Sequence, residues 1–144
     1  LHMAMIQYKM GQLFTLTIET LEKFKNNPRK SLEAYIKLPF QFAQSDEEFL
    51  AIWTAFYHLI TVNSSIAHFN STVQKNGHDR IMNIIRSILV EEKLKLLDSE
   101  SLEDLAHQFH GTIIGYLMMA STHSQKNFTK WQKLALQNIF KNLA

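Results

Sequence analysis

An all-α single domain of about six helices is the fold the sequence predicts, and three observations carry that expectation. Apolar residues recur at helical spacing from end to end, and no stretch alternates in the manner of a half-buried strand. Only two prolines and four glycines interrupt the pattern. The 144 residues amount to one domain, 46% hydrophobic and 19% charged, long enough to bury a core and too apolar to be disordered.

Each helix follows from its own residues. Ile6, Met10, Leu13, Thr17, Leu21 and Phe24 form one stripe of the first. Asn27-Pro28 ends it and starts the second, with an amide cap and a proline at the first helical position, where no N–H is needed. There Leu32, Tyr35, Ile36, Pro39, Phe42 and Ala43 share a face, and Pro39 should kink the helix. Ser45-Asp46-Glu47-Glu48 reads as a capping box for a third helix. Its sequence EFLAIWTAFYHLI is apolar almost all round, the mark of burial on several sides.

After a break at Asn63-Ser64, Ile66, Phe69, Val73, Gly77, Ile81, Ile84 and Ile88 stay in phase straight through Asn76-Gly77. The unbroken phase outweighs the turn signal of Asn-Gly and predicts one long fourth helix. Asp98 or Ser99 caps a fifth, whose core stripe is Leu102, Leu105, Ala106, Phe109, Ile113, Tyr116, Leu117 and Ala120. Asn127 caps a sixth, in which Phe128, Trp131, Ala135, Leu136, Ile139 and Leu143 point one way.

Several function classes are disfavoured by composition. Without cysteine there are no disulfides, thiolate metal sites or cysteine nucleophiles. The formal charge is only +2 and its basic residues are scattered, so direct nucleic-acid binding by this chain is not indicated. The longest apolar run, Phe109–Ala120, is shorter than the roughly 20 residues a membrane span needs. A cytoplasmic location is expected, with no membrane partner. Residues 1–3, Leu-His-Met, read as a vector remnant, and 4–144 as the domain.

Catalytic signatures are missing as well. There is no Gly-x-Ser-x-Gly elbow, phosphate-cradling glycine loop or dinucleotide fingerprint. Glu103, His107 and His110 lie on one helix at spacings that let all three approach one ion. Di-iron bundles, however, need Glu-x-x-His twice, and the zincin His-Glu-x-x-His is absent. The expectation is therefore no catalytic residue, no metal, no cofactor and no enzyme, with the histidines as polar members of a helix face or pocket wall.

Aromatic residues give a better lead. Tyr35, Phe42, Trp53, Phe56 and Tyr57 sit on neighbouring helices, with Met82, His107 and Met118 in reach. Together they could line a mostly apolar cavity with a few polar tips, the anatomy of a small-molecule site. An aromatic box of this kind would suit a quaternary ammonium ligand. A filled aromatic core is the competing account of the same spacing.

The fifth helix also has two faces. Opposite its core stripe, His107, Gly111, Ile114, Met118 and Thr122 form a second stripe roughly 140–160° away. Small Gly111, with Gly115 at the margin, suggests close approach of a partner helix. With Trp131, Leu134 and Phe140 of the sixth helix, Gly111, Ile114, Gly115 and Met118 are the expected interface of a two-fold dimer through a four-helix bundle.

Three stretches are similar to a known family. NNPRKSLEAYIKLPFQFAQ, DEEFLAIWTAFYHLI and, most specifically, DSESLEDLAHQFHGTIIGYLMMAS resemble successive helices of the C-terminal ligand-binding and dimerisation domain of TetR-family transcriptional repressors, closest to the BetI-like branch. The resemblance runs from about Leu13 onward. It departs from the family in lacking the preceding helix-turn-helix domain and, in VEEKLKLLD, a glycine that many relatives carry.

What the resemblance implies is a homodimer that binds an unknown small-molecule effector. The effector would shift the first helix and so change the DNA affinity of heads outside this chain. The alternative is a helical-bundle interaction or lipid-binding module unrelated to DNA. A metal-dependent enzyme ranks third.

Overall fold

Helices form where the apolar periodicity requires them. The computed structural model describes residues 3–122 and 128–143. It contains α1 (Met3–Lys23), α2 (Pro28–Ser45), α3 (Phe49–Ile60), α4 (Ser64–Glu91), α5 (Ser99–Thr122) and α6 (Phe128–Lys141), with no strand among the described residues. No single helix among them is long and apolar enough to cross a membrane.

Side chains close the helix starts much as their types demand. Asn27 Oδ1 accepts from the Lys30 N–H at 3.2 Å, with Pro28 as the first helical residue. Asn63 Oδ1 accepts from the N–H groups of Ser65 and Ile66 at 3.0 and 3.1 Å. Asp98, rather than Ser99, caps α5, taking the Ser101 N–H at 2.8 Å. Each such cap satisfies a donor that the first helical turn leaves open. The Asn127 cap expected for α6 lies outside the described residues. α4 runs unbroken through Asn76-Gly77.

The capping box at Ser45–Glu48 does not form. α2 continues through Ser45, so the Ser45 hydroxyl is helical and donates back to the Phe42 carbonyl at 3.1 Å. Asp46 takes over the turn: its carboxylate accepts from the Glu48 N–H at 3.0 Å and pairs with the Lys9 ammonium of α1.

α2 is the central element, packed against every other helix. Leu32, Ile36 and Phe40 are completely buried, as are Ile6 of α1, Phe49 of α3, Ile66, Ile81, Ile85 and Ile88 of α4, and Ala106 of α5. Pro39 lies inside α2 without ending it. The core phase of α2 is Leu32, Ile36, Phe40 and Ala43. Tyr35 and Pro39 lie beside that phase, on the face of α2 that lines an internal chamber.

Two ion pairs tie distant ends together. Arg29, at the start of α2, makes a bidentate pair with Glu92, just past α4, at 2.8 Å for each bond. Lys9 and Asp46 join α1 to the α2–α3 turn. The hydrogen bond from Lys9, helped by the Glu48 N–H, holds the Asp46 carboxyl below its ordinary pKa. A carboxylate whose folded pKa is lower than its unfolded value of about 3.9 adds stability that is complete above that pH and lost as pH falls through the folded value. Asp46→Asn should therefore be less stable than wild type at neutral pH. Urea melts should show the gap narrowing towards about pH 3; a gap independent of pH would contradict it.

Candidate functional site: a chamber between helices α1 to α5

The second face of α2 looks into a chamber of about 900 Å³. α1 contributes Leu13, Phe14 and Thr17 to its wall, and α3 contributes Trp53 and Tyr57. α4 presents Asn70, Gln74, Gly77, His78 and Met82, and α5 presents Glu103, His107, His110, Gly111 and Ile114. One side is aromatic: the Trp53 and Tyr57 rings lie 4.7 Å apart, and Phe56 backs Tyr57 at 5.5 Å. The opposite side is polar.

Gly77 makes that polar side possible. It is buried in the middle of α4, where glycine costs roughly 1 kcal/mol against alanine. A Cβ on Gly77 would sit 3.3 Å from His110 Nε2 and 3.6 Å from Tyr35 Oη. The missing side chain lets α5 bring His110 to within 3.1 Å of the Tyr35 hydroxyl.

A string of hydrogen-bonding groups follows. His110 Nε2 meets Tyr35 Oη at 3.1 Å, and His110 Nδ1 meets His78 Nδ1 at 3.3 Å. The His78 and His107 rings approach edge to face with centroids 3.7 Å apart. Burial pushes the Tyr35 phenol up to about 12. Burial, reinforced by His78 and His107, pushes His110 down to about 4. Burial and then His107 lower His78 as well. At neutral pH Tyr35, His78 and His110 are thus uncharged, able both to donate and to accept. His78 Nε2 is buried with no hydrogen-bond partner among the described residues.

No protein-family model, curated protein or solved structure matches the chain. The chemistry of the chamber therefore rests on its own geometry.

Of the expected pocket residues, Tyr35, Trp53, Tyr57, Met82 and His107 do line the chamber. Phe42, Phe56 and Met118 do not. Phe42 packs edge-on against Phe49 with centroids 4.7 Å apart, because the α2–α3 turn folds the two helices onto each other. Phe56 is only 1% exposed, in the core behind Tyr57, and Met118 lies on the outer surface of α5. The chamber's further lining includes Leu13, Phe14, Thr17, Pro39, Gly77 and His78, none of which the sequence marks as a pocket residue. One signal was available: Asn70, Gln74 and His78, at spacings of four, form a polar stripe beside the apolar stripe of α4 that contains Gly77.

The expected interface residues are divided. Gly111 and Ile114 belong to the chamber wall. Gly115 and Met118 are exposed. Trp131 is buried within the chain, its ring 6.0 Å from that of Tyr116. Leu134 and Phe140 are half-buried against the core, with the Arg29 guanidinium 5.2 Å from the Phe140 ring.

Proposed function

We propose that this chain is the effector-binding and dimerising domain of a TetR-like transcriptional regulator, with a small molecule held in the α1–α5 chamber. The chamber is the observation that carries the proposal. Its volume of about 900 Å³ lies within the range of ligand sites, and its walls combine aromatic surface with a few convergent polar groups. The occupant this favours is a largely apolar, flat molecule. Its rings would lie on Trp53 and Tyr57, and one or two polar groups would reach the Tyr35–His110–His78 string.

α1 supplies Leu13, Phe14 and Thr17, so a bound molecule touches the helix that, in the resembled architecture, leads to the DNA-binding heads. An effector that fits one position of α1 better than another biases the two, and its differential affinity sets the size of the response.

Fluorescence offers a direct test. The chain has two tryptophans, and Trp131→Phe leaves Trp53, in the chamber wall, as the only one. Titrating this variant with a panel of aromatic amines and quaternary ammonium compounds should give saturable changes in Trp53 emission for some members. Emission indifferent to all of them, in a protein whose circular dichroism is unchanged, would count against an effector site.

A further inference from the structure

The polar end of the chamber carries a donor set that neither core packing nor an apolar effector requires. Glu103 and His107 are four apart on α5, so they stand one above the other on the same face. His78 of α4 faces them. One ligand atom from each, a nitrogen of His78, a nitrogen of His107 and a carboxylate oxygen of Glu103, all lie within 4.8 Å of one another. Independently, His78 has a nitrogen to offer: its Nδ1 is engaged by His110 Nδ1, while its Nε2 is buried without a partner among the described residues. A buried lone pair left unmatched is costly, and a cation would match it.

We infer that His78, Glu103 and His107 bind a zinc-class divalent cation, bridging α4 and α5 at the polar end of the chamber. Two imidazoles and one carboxylate are the borderline donors that Zn²⁺ accepts, whereas Ca²⁺ and Mg²⁺ favour all-oxygen sets. Bonds of about 2.0–2.1 Å in a tetrahedral site place donors about 3.3 Å apart. The observed spread closes to that through side-chain rotation, since Glu103 and His107 are both exposed while their helix stays fixed.

The surroundings are those of a supported ligand. His78 Nδ1 lies 3.3 Å from His110 Nδ1, and His110 Nε2 lies 3.1 Å from Tyr35 Oη; with the His78 proton on Nδ1, its Nε2 is left for the ion. Outer partners of this kind orient metal-binding imidazoles. Three protein ligands leave a fourth position, and because all three line the chamber it opens inward, where water or a chelating group of a bound molecule can take it. This inference rests on the α4–α5 geometry and stands whichever way the regulatory reading falls.

The test is titration of the whole, metal-stripped chain with Zn²⁺ by calorimetry, and with Co²⁺ followed by its visible absorption. Wild type should bind one ion, give the strong d–d absorption of a low-coordinate Co²⁺ site, and melt higher with zinc present. Glu103→Gln and His107→Asn should each weaken binding by at least about tenfold, the scale on which even outer-sphere partners act. Being at exposed positions, they should leave the metal-free melt unchanged. His68→Asn, at an exposed position on α4 outside the set, should bind as wild type does. Failure of wild type to bind zinc at micromolar concentration would overturn the inference. So would binding that survives both Glu103→Gln and His107→Asn, which would assign it to other histidines.

Discussion

Gly77→Leu should close the chamber while leaving the six helices folded. The first added atom already meets His110 Nε2 at 3.3 Å and Tyr35 Oη at 3.6 Å. The branched end of leucine extends further, into the space where the 3.1 Å contact between those side chains now lies. Overpacking of this kind costs about 1–3 kcal/mol, and the gain in helix propensity offsets about 0.5–1 kcal/mol of it. The domain should therefore melt somewhat lower and still fold. Probe binding, read from Trp53 in the Trp131→Phe background, should weaken by at least about tenfold, equivalent to about 1.4 kcal/mol. Gly77→Ala separates space from propensity. It gains about 1 kcal/mol of propensity against a shift of a few tenths of an ångström in the end of His110, so its stability should remain close to wild type. Unchanged affinity in Gly77→Leu would place any binding site outside the chamber.

The helices were legible in the sequence because each has a buried stripe whose period can be read without knowing its neighbour. α4 is the clearest case: the phase from Ile66 to Ile88 persists across Asn76-Gly77, and the helix does too. What a stripe faces was not legible. In PFQF, Phe40 and Phe42 are equally aromatic and two apart; the core takes Phe40, and Phe42 goes to Phe49. The same rotation of α2 sends Tyr35 and Pro39 to the chamber. A capping box matched by residue type alone failed at Ser45, because Asp46 offered the turn a better placed acceptor and an ion pair with Lys9.

The candidate site was half legible for a related reason. Glu103 and His107 share one helix, and their mutual reach follows from helical spacing; His110, expected with them, turns instead to Tyr35 and His78. His78 is on α4, and only the packing of α4 against α5 brings it to His107. Gly77 gave the one local hint of that packing, as a glycine held inside a long helix where another element comes close. The glycines of α5 look alike in sequence and differ in surroundings. Both are exposed and a Cβ on either would meet nothing within 4 Å, but Gly111 is among the residues that line the chamber and Gly115 is not.

That contrast makes Gly115→Leu the sharper test of dimerisation. Within the chain, leucine at this position has room, and it should raise helix propensity by about 0.5–1 kcal/mol. The monomer should therefore be as stable as wild type or slightly more so. In the proposed dimer, the exposed outer side of α5, with Met118 38% and Met119 43% exposed, lies against a second copy. A glycine there allows close backbone approach. Two-fold symmetry puts the substitution into the seam twice, once from each protomer. At about 1–3 kcal/mol for each overpacked site, the pair costs about 2–6 kcal/mol of association. That is a rise in dissociation constant from about thirtyfold to more than 10⁴-fold. Light scattering across a concentration series, paired with urea melts at low concentration, reads both halves. Dissociation with stability intact supports a seam at Gly115. A variant that remains as dimeric as wild type moves the seam elsewhere, and a wild type that is monomeric at high micromolar concentration removes the dimer from the proposal.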